Sequence, residues 1–162
     1  MLTPLKMVKI LKGSMVSRFF NIPVCWTDEH KSLEYTRKGG PGLLYDESNN
    51  KPLPAYTNEI KLQFPWLKDI SMAYYIMMPD AHLPKHVDEY PSYRHVFGVA
   101  KSDITRVLVF LEDGERGHSL EMEGVIVTKW KAGDAVMWTD EEHAAGNFGI
   151  LPRYTLQITG HV

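Results

Sequence analysis

The chain has 162 residues, 44% of them apolar and 23% charged, with a formal net charge of −2. This size and balance fit a globular protein with a real core, read as one domain over 1–162. They give no electrostatic case for a nucleic-acid partner or an anionic membrane, and no apolar run approaches the ~20 residues that cross a bilayer.

The opening stretch MLTPLKMVKILKGSMVSRFF is basic and free of acids. Lys6, Lys9 and Lys12 break up any signal-peptide apolar segment, so a structural strand or helix is expected there. The single cysteine, Cys25, excludes an intrachain disulfide and fits a reducing compartment, so a cytoplasmic location is expected. Beside Trp26 it reads as a small core residue. WTDEHKSLEYTRK at 26–38 is the best helix candidate, with Thr27 or Asp28 as cap, acids early and bases late. KGGPGLL at 38–44 and DESNNKPLP at 46–54 carry loop chemistry. TNEIKLQFPWLKD at 57–69 predicts a second short helix, ended by Pro65.

From residue 71 the texture changes. SMAYYIMMP, DITRVLVFLED, EGVIVTKW, DAVMWTD and RYTLQITGHV are short runs rich in β-branched and aromatic residues. EDGERG, KAGD and GNFGILP separate several of them. Short strands punctuated this often predict an antiparallel sandwich or barrel over 71–162, with residues 1–70 as a small α/β preamble packed outside it.

Chemistry concentrates in three places. His86 and Asp88 are two apart, so an extended segment points both to one side. With 7 His in the chain, that pair alone is an ordinary coincidence. His143, between DAVMW and the last strand, is placed to supply a third ligand. Two imidazoles and a carboxylate suit iron(II) and similar ions and leave coordination positions open. Ten residues beyond His143, Arg153 and Thr155 share one face of the final strand. A guanidinium fork with a nearby hydroxyl suits the far end of a dicarboxylate.

The order His-x-Asp, distant His, then Arg-x-Thr on the last strand resembles the iron(II)- and 2-oxoglutarate-dependent oxygenases. KAGDAVMW and RVLVFLED are also similar to strands around that family's site. The resemblance covers residues 71–162 and implies a double-stranded β-helix, or jelly roll. It implies that His86, Asp88 and His143 hold Fe(II), and that 2-oxoglutarate, the cosubstrate, meets the metal at one end and Arg153 and Thr155 at the other. O2 would be consumed and succinate and CO2 released. Family halogenases lack the carboxylate ligand, so Asp88 implies hydroxylation or a related oxidation. Tyr75, eleven residues before His86, is a candidate cosubstrate contact, with Tyr74 equal by spacing. The implied substrate is a small molecule or a peptide side chain, met by some of Tyr90, Tyr93, Arg94 and His95.

Two other functions share this pattern in part. A cupin-type metalloprotein, either an isomerase or a dioxygenase without 2-oxoglutarate, would use HAAGN at 143–147 as a His-x-x-x-Asn half-motif. Asp88 stands where its first half-motif needs a second His, and Arg153 with Thr155 has no task in it. A non-catalytic ligand-binding jelly roll gives no reason for an intact triad. Of the remaining polar residues, His82 is expected in a loop because Pro84 argues against a helix, and His118 in a solvated hairpin-like turn. Asp140, Glu141 and Glu142 form an acidic turn, one of them a candidate to support His143. Arg106 points either into the barrel, as a second anion contact, or outward.

Overall fold

The computed structural model describes residues 57–162, together with the backbone of two earlier strands. These are β1 (Leu5–Lys6) and β2 (Gly39–Asp46), followed by helix α1 (Thr57–Gln63). Then come β3 (Lys68–Met77), β4 (Ala81–His86), helix α2 (Pro91–Phe97), a 3-10 turn at Lys101–Asp103 and β5 (Ile104–Phe110). The chain continues through β6 (His118–Met122), β7 (Val125–Val127), β8 (Asp134–Trp138), β9 (His143–Asn147) and β10 (Arg153–His161). The larger sheet has the order β1-β8-β5-β10-β3-β2 and the smaller β4-β9-β6-β7. From β3 onward the chain passes back and forth between them, and every pairing is antiparallel. This is an antiparallel barrel, as the strand pattern predicts, and the double-stranded β-helix that the resemblance implies.

Period-two alternation decides what lies inside. On β5, Leu108 and Phe110 face the smaller sheet and pack with Leu120, Met122, Trp130, Val136, Trp138 and Ala145. The Phe110 and Trp130 rings stack 4.0 Å apart. Val107 and Val109 face the other way and join Ile70, Met72, Leu156 and Ile158 under α1, where Ile60, Phe64 and Leu67 cover them. β5 therefore reads as a continuous apolar run because both of its faces are covered. The same parity sends Arg153, Thr155, Gln157 and Thr159 of β10 inward, since Leu156 and Ile158 face α1.

Several expectations need correction. KGGPGLL is not a loop: β2 pairs with β3 at the sheet edge, with a register shift between Pro41 and Leu44 that accommodates the proline. The preamble thus adds edge strands to the larger sheet rather than only packing outside it. His82 lies on β4, not in a loop. His118 is 3% exposed, not solvated. Its Nε2–H donates to the Leu151 carbonyl, and its Nδ1 accepts from the Glu115 N–H. The short helix ended by Pro65 is present as α1. The helix expected at 26–38 and the core placement of Cys25 fall outside the described residues. No described helix is long and apolar enough to cross a membrane.

Candidate metal centre and anion site

His86 closes β4 and His143 opens β9, and the two residues are direct antiparallel partners. Asp88 follows two residues after His86, in the segment leading to α2. Their ligand atoms lie within 4.8 Å of one another. His86 Nε2 is 3.7 Å from Asp88 Oδ1, and His143 Nε2 is 3.8 Å from Asp88 Oδ2. Ligand atoms about 2.1 Å from one metal ion lie about 3.0–4.2 Å apart, so these separations suit a shared divalent ion.

The imidazoles are set up alike. His86 Nδ1–H donates to the Pro84 carbonyl at 2.8 Å, and His143 Nδ1–H to the Glu141 carbonyl at 3.0 Å. A carbonyl only accepts, so each Nδ1 carries the proton and each Nε2 presents its lone pair to the centre. The support expected from the acidic turn thus comes from the Glu141 main chain. Its carboxylate is occupied by the Thr139 N–H and hydroxyl.

Asp88 is fixed from the opposite side. Trp138 Nε1–H donates to Oδ2 at 3.2 Å, and Arg106 Nε lies 3.7 Å from the same oxygen. Burial alone would raise the Asp88 pKa, but Arg106 and the two histidines outweigh it and hold the carboxyl well below the usual range. Burial lowers the His143 pKa, whereas at His86 the Asp88 carboxylate outweighs burial and raises it.

Arg153 sits further along the barrel. It is 6% exposed, and one of its terminal N–H groups donates to the Ser119 carbonyl at 2.7 Å. Ser119 pairs with Gly146, three residues along β9 from His143. Three strand residues span about 10 Å, the order of length of a five-carbon dicarboxylate held between a metal and a guanidinium. Arg153 Nε is buried without a hydrogen-bond partner, and no acid of the described residues pairs with it. Burial pulls its pKa down to about 10. Thr155 is buried on the same face, opposite Tyr75 of β3. Burial raises the Tyr75 pKa, and its hydroxyl feels both Arg106 and Asp88. The expected site residues on β3, β4, β9 and β10 therefore converge on one interior.

Of the aromatic segment, Tyr90 lies beside Arg106, with its ring centroid 5.0 Å from the guanidinium carbon. Tyr93 does not line the site: its hydroxyl donates to the Asp69 carbonyl, and its ring packs on Phe97. Arg94 and His95 are exposed on α2. Arg106 points inward, which settles the alternative the sequence leaves open. Sequence reasoning missed Trp138 and Gln157. Both had a signal: Trp138 shares a face with inward Val136, and Gln157 with Thr155. Asn147 donates to the Met77 and Leu151 carbonyls and accepts from Gly149, so it ties loops together at the end of β9 remote from His143. A cavity of about 770 Å³ lies on the smaller sheet, rimmed by Ile126 and Phe148, and touches neither the triad nor either buried arginine.

No protein-family model matches the chain, and no curated protein matches it. Among solved structures, a Pseudomonas putida prolyl-4-hydroxylase is similar over 83% of this chain and 80% of its own, at 15% identity and a TM-score of 0.52. A Photorhabdus luminescens protein matches 57% of this chain at 11% identity and a TM-score of 0.42, and the chain spans 63% of that protein's length. A cupin protein from Bacteroides fragilis is similar over 60% of this chain and 70% of its own, at 13% identity and a TM-score of 0.43. The likeness to the hydroxylase shows the double-stranded β-helix fold.

Proposed function

We propose that this barrel is a non-haem iron(II)- and 2-oxoglutarate-dependent dioxygenase that hydroxylates a small molecule or a peptide side chain, releasing succinate and CO2. The observation that carries the reading is Arg153. A buried guanidinium that has one carbonyl partner but no acid beside it among the described residues, on the order of 10 Å along the strands from a two-His, one-carboxylate cluster, is costly unless an anion completes it. A cupin-type metalloprotein would use the same triad but leaves Arg153 and Thr155 without a ligand.

In this reading His86 Nε2, His143 Nε2 and the Asp88 carboxylate hold the metal. Trp138 and Arg106 keep Asp88 in place, and the two carbonyl-bound Nδ1–H groups prevent the imidazoles from turning. Arg153 forms a charge-assisted hydrogen bond to the far carboxylate of 2-oxoglutarate, joined by the Thr155 hydroxyl. Tyr75, facing Thr155, lies within reach of the cosubstrate. When bound, the iron supplies the redox chemistry that couples loss of CO2 from the diacid to oxidation of a substrate C–H bond with O2. The side chains bind, orient and exclude water: Phe110, Leu120, Met122 and Trp138 make the interior apolar around the polar line.

The test is anaerobic addition of iron(II) and 2-oxoglutarate. The weak visible charge-transfer band of that chelate is expected, and its absence from a protein that binds the metal would exclude the reading.

A further inference from the structure

Beside the triad lies a second polar group that holding Asp88 does not exhaust. Arg106 enters the interior from β5 with its side chain 14% exposed. It faces Asp88 as an ion pair, yet its Nε makes no hydrogen bond. One terminal N–H donates to Gln157 Oε1, and the Tyr90 ring lies against the guanidinium. Tyr90 is 6% exposed, and its hydroxyl, close enough to Arg106 and Asp88 to feel both, makes no well-formed hydrogen bond among the described residues.

The chemistry of these atoms narrows what they can take. A guanidinium only donates, so Gln157 must turn its carbonyl oxygen toward Arg106 and leave its amide N–H groups free for another acceptor. Around Arg106 the donors Nε–H, the Gln157 amide and the Tyr90 hydroxyl outnumber the acceptors: beyond the Gln157 carbonyl oxygen, the Asp88 carboxylate is the acceptor they share among the described residues, and as a metal ligand it would turn its oxygens to the ion. The group that matches a lining of donors is one that only accepts, a carboxylate. Charge balance agrees. With a divalent ion and the 2-oxoglutarate dianion in place, Asp88 and the dianion carry one negative charge less than the metal, Arg106 and Arg153 carry positive. The nearby acids Glu89 and Asp140 are already paired with Lys101.

Resting on the dioxygenase reading, we propose that Arg106, Gln157 and Tyr90 form the receptor for a carboxylate of the substrate itself. The substrate is then a small free carboxylic acid, such as an amino acid, rather than an internal residue of a peptide.

The test uses the full-length protein loaded with cobalt(II), with and without 2-oxoglutarate. It is titrated with the common L-amino acids as free acids and as their carboxamides. At least one free acid is expected to perturb the visible cobalt spectrum at a concentration about 10²-fold below its amide. Arg106→Gln is expected to abolish that preference even when saturated with cobalt(II), although cobalt(II) affinity itself falls about 10–100-fold because Arg106 supports Asp88. Tyr90→Phe, which removes only a hydroxyl, is expected to weaken the acid and leave the amide unchanged. Equal responses to acid and amide, or no response to any free acid, would overturn the proposal. So would a preference that Arg106→Gln retains once cobalt(II) saturates the variant, which would make Arg106 a residue that only positions Asp88. If the parent protein forms no iron–2-oxoglutarate band yet still prefers the acid, the dioxygenase reading fails and the carboxylate receptor stands.

Discussion

Arg106 and Arg153 both point into the barrel, one beside the triad and one further along it, but only Arg106 has an acid next to it. Burial disfavours the charged form of each. At Arg106 the Asp88 carboxylate and the neighbouring tyrosines outweigh burial and strengthen protonation. At Arg153 no charge of the described residues opposes burial, and the pKa falls to about 10. Because the fold favours the neutral form, this group's destabilising contribution is fully present at neutral pH and is relieved only as pH rises past about 10. An anion relieves it at neutral pH instead. At one end of the interior a carboxylate of the chain faces the guanidinium, while at the other no acid of the described residues does.

Four experiments break or sharpen that contrast. The largest effect is expected from Asp88→Ala. It should stop succinate production and lower iron(II) affinity by at least about 10²-fold, the upper end of what losing a supporting partner costs. Succinate release persisting at the parental rate would remove Asp88 from the ligand set. Next, Arg153→Ala should raise the 2-oxoglutarate requirement roughly 10²–10³-fold, as loss of one partner of a buried ion pair does. Unchanged cosubstrate affinity would sink its assigned role. Third, urea unfolding of the metal-free protein should separate the two arginines. Arg106→Met strands Asp88 and should cost about 3–5 kcal/mol, whereas Arg153→Met strands no charge, only takes a donor from the Ser119 carbonyl, and should cost under about 1 kcal/mol or stabilise. The reverse order would show that the contrast is misread. The smallest effect is Trp138→Phe, which removes one N–H from Asp88 and should weaken metal binding about tenfold, read by cobalt(II) titration.

The sequence showed the larger sheet more clearly than the smaller. β3, β5, β8 and β10 are rich in β-branched and aromatic residues because both their faces are covered or edge on the core. β4, β6 and β9 are AHLPKH, HSLEM and HAAGN, short segments without a single β-branched residue. Their strand character comes from pairing with neighbours, which local propensity does not report. Helix α2 was hidden for a related reason: no side chain caps its start, and Pro91 reads as a loop breaker although it occupies the first turn. The triad was legible because ligand geometry writes a fixed spacing into the chain. Trp138 and Gln157 left only a same-face relation to known inward residues. The direction of Arg106 could not be read without the register of β5 against β8 and β10.

The run from His86 to Phe97 holds two of the three candidate ligands, the Tyr90 ring and all of α2. Tyr90 takes a left-handed backbone conformation, φ 47°, unusual for a bulky residue, immediately before Pro91 starts the helix. From His86 to Tyr90 each residue is thereby indexed to the metal ligands, and a residue inserted or deleted there would carry Asp88 or the Tyr90 ring out of register.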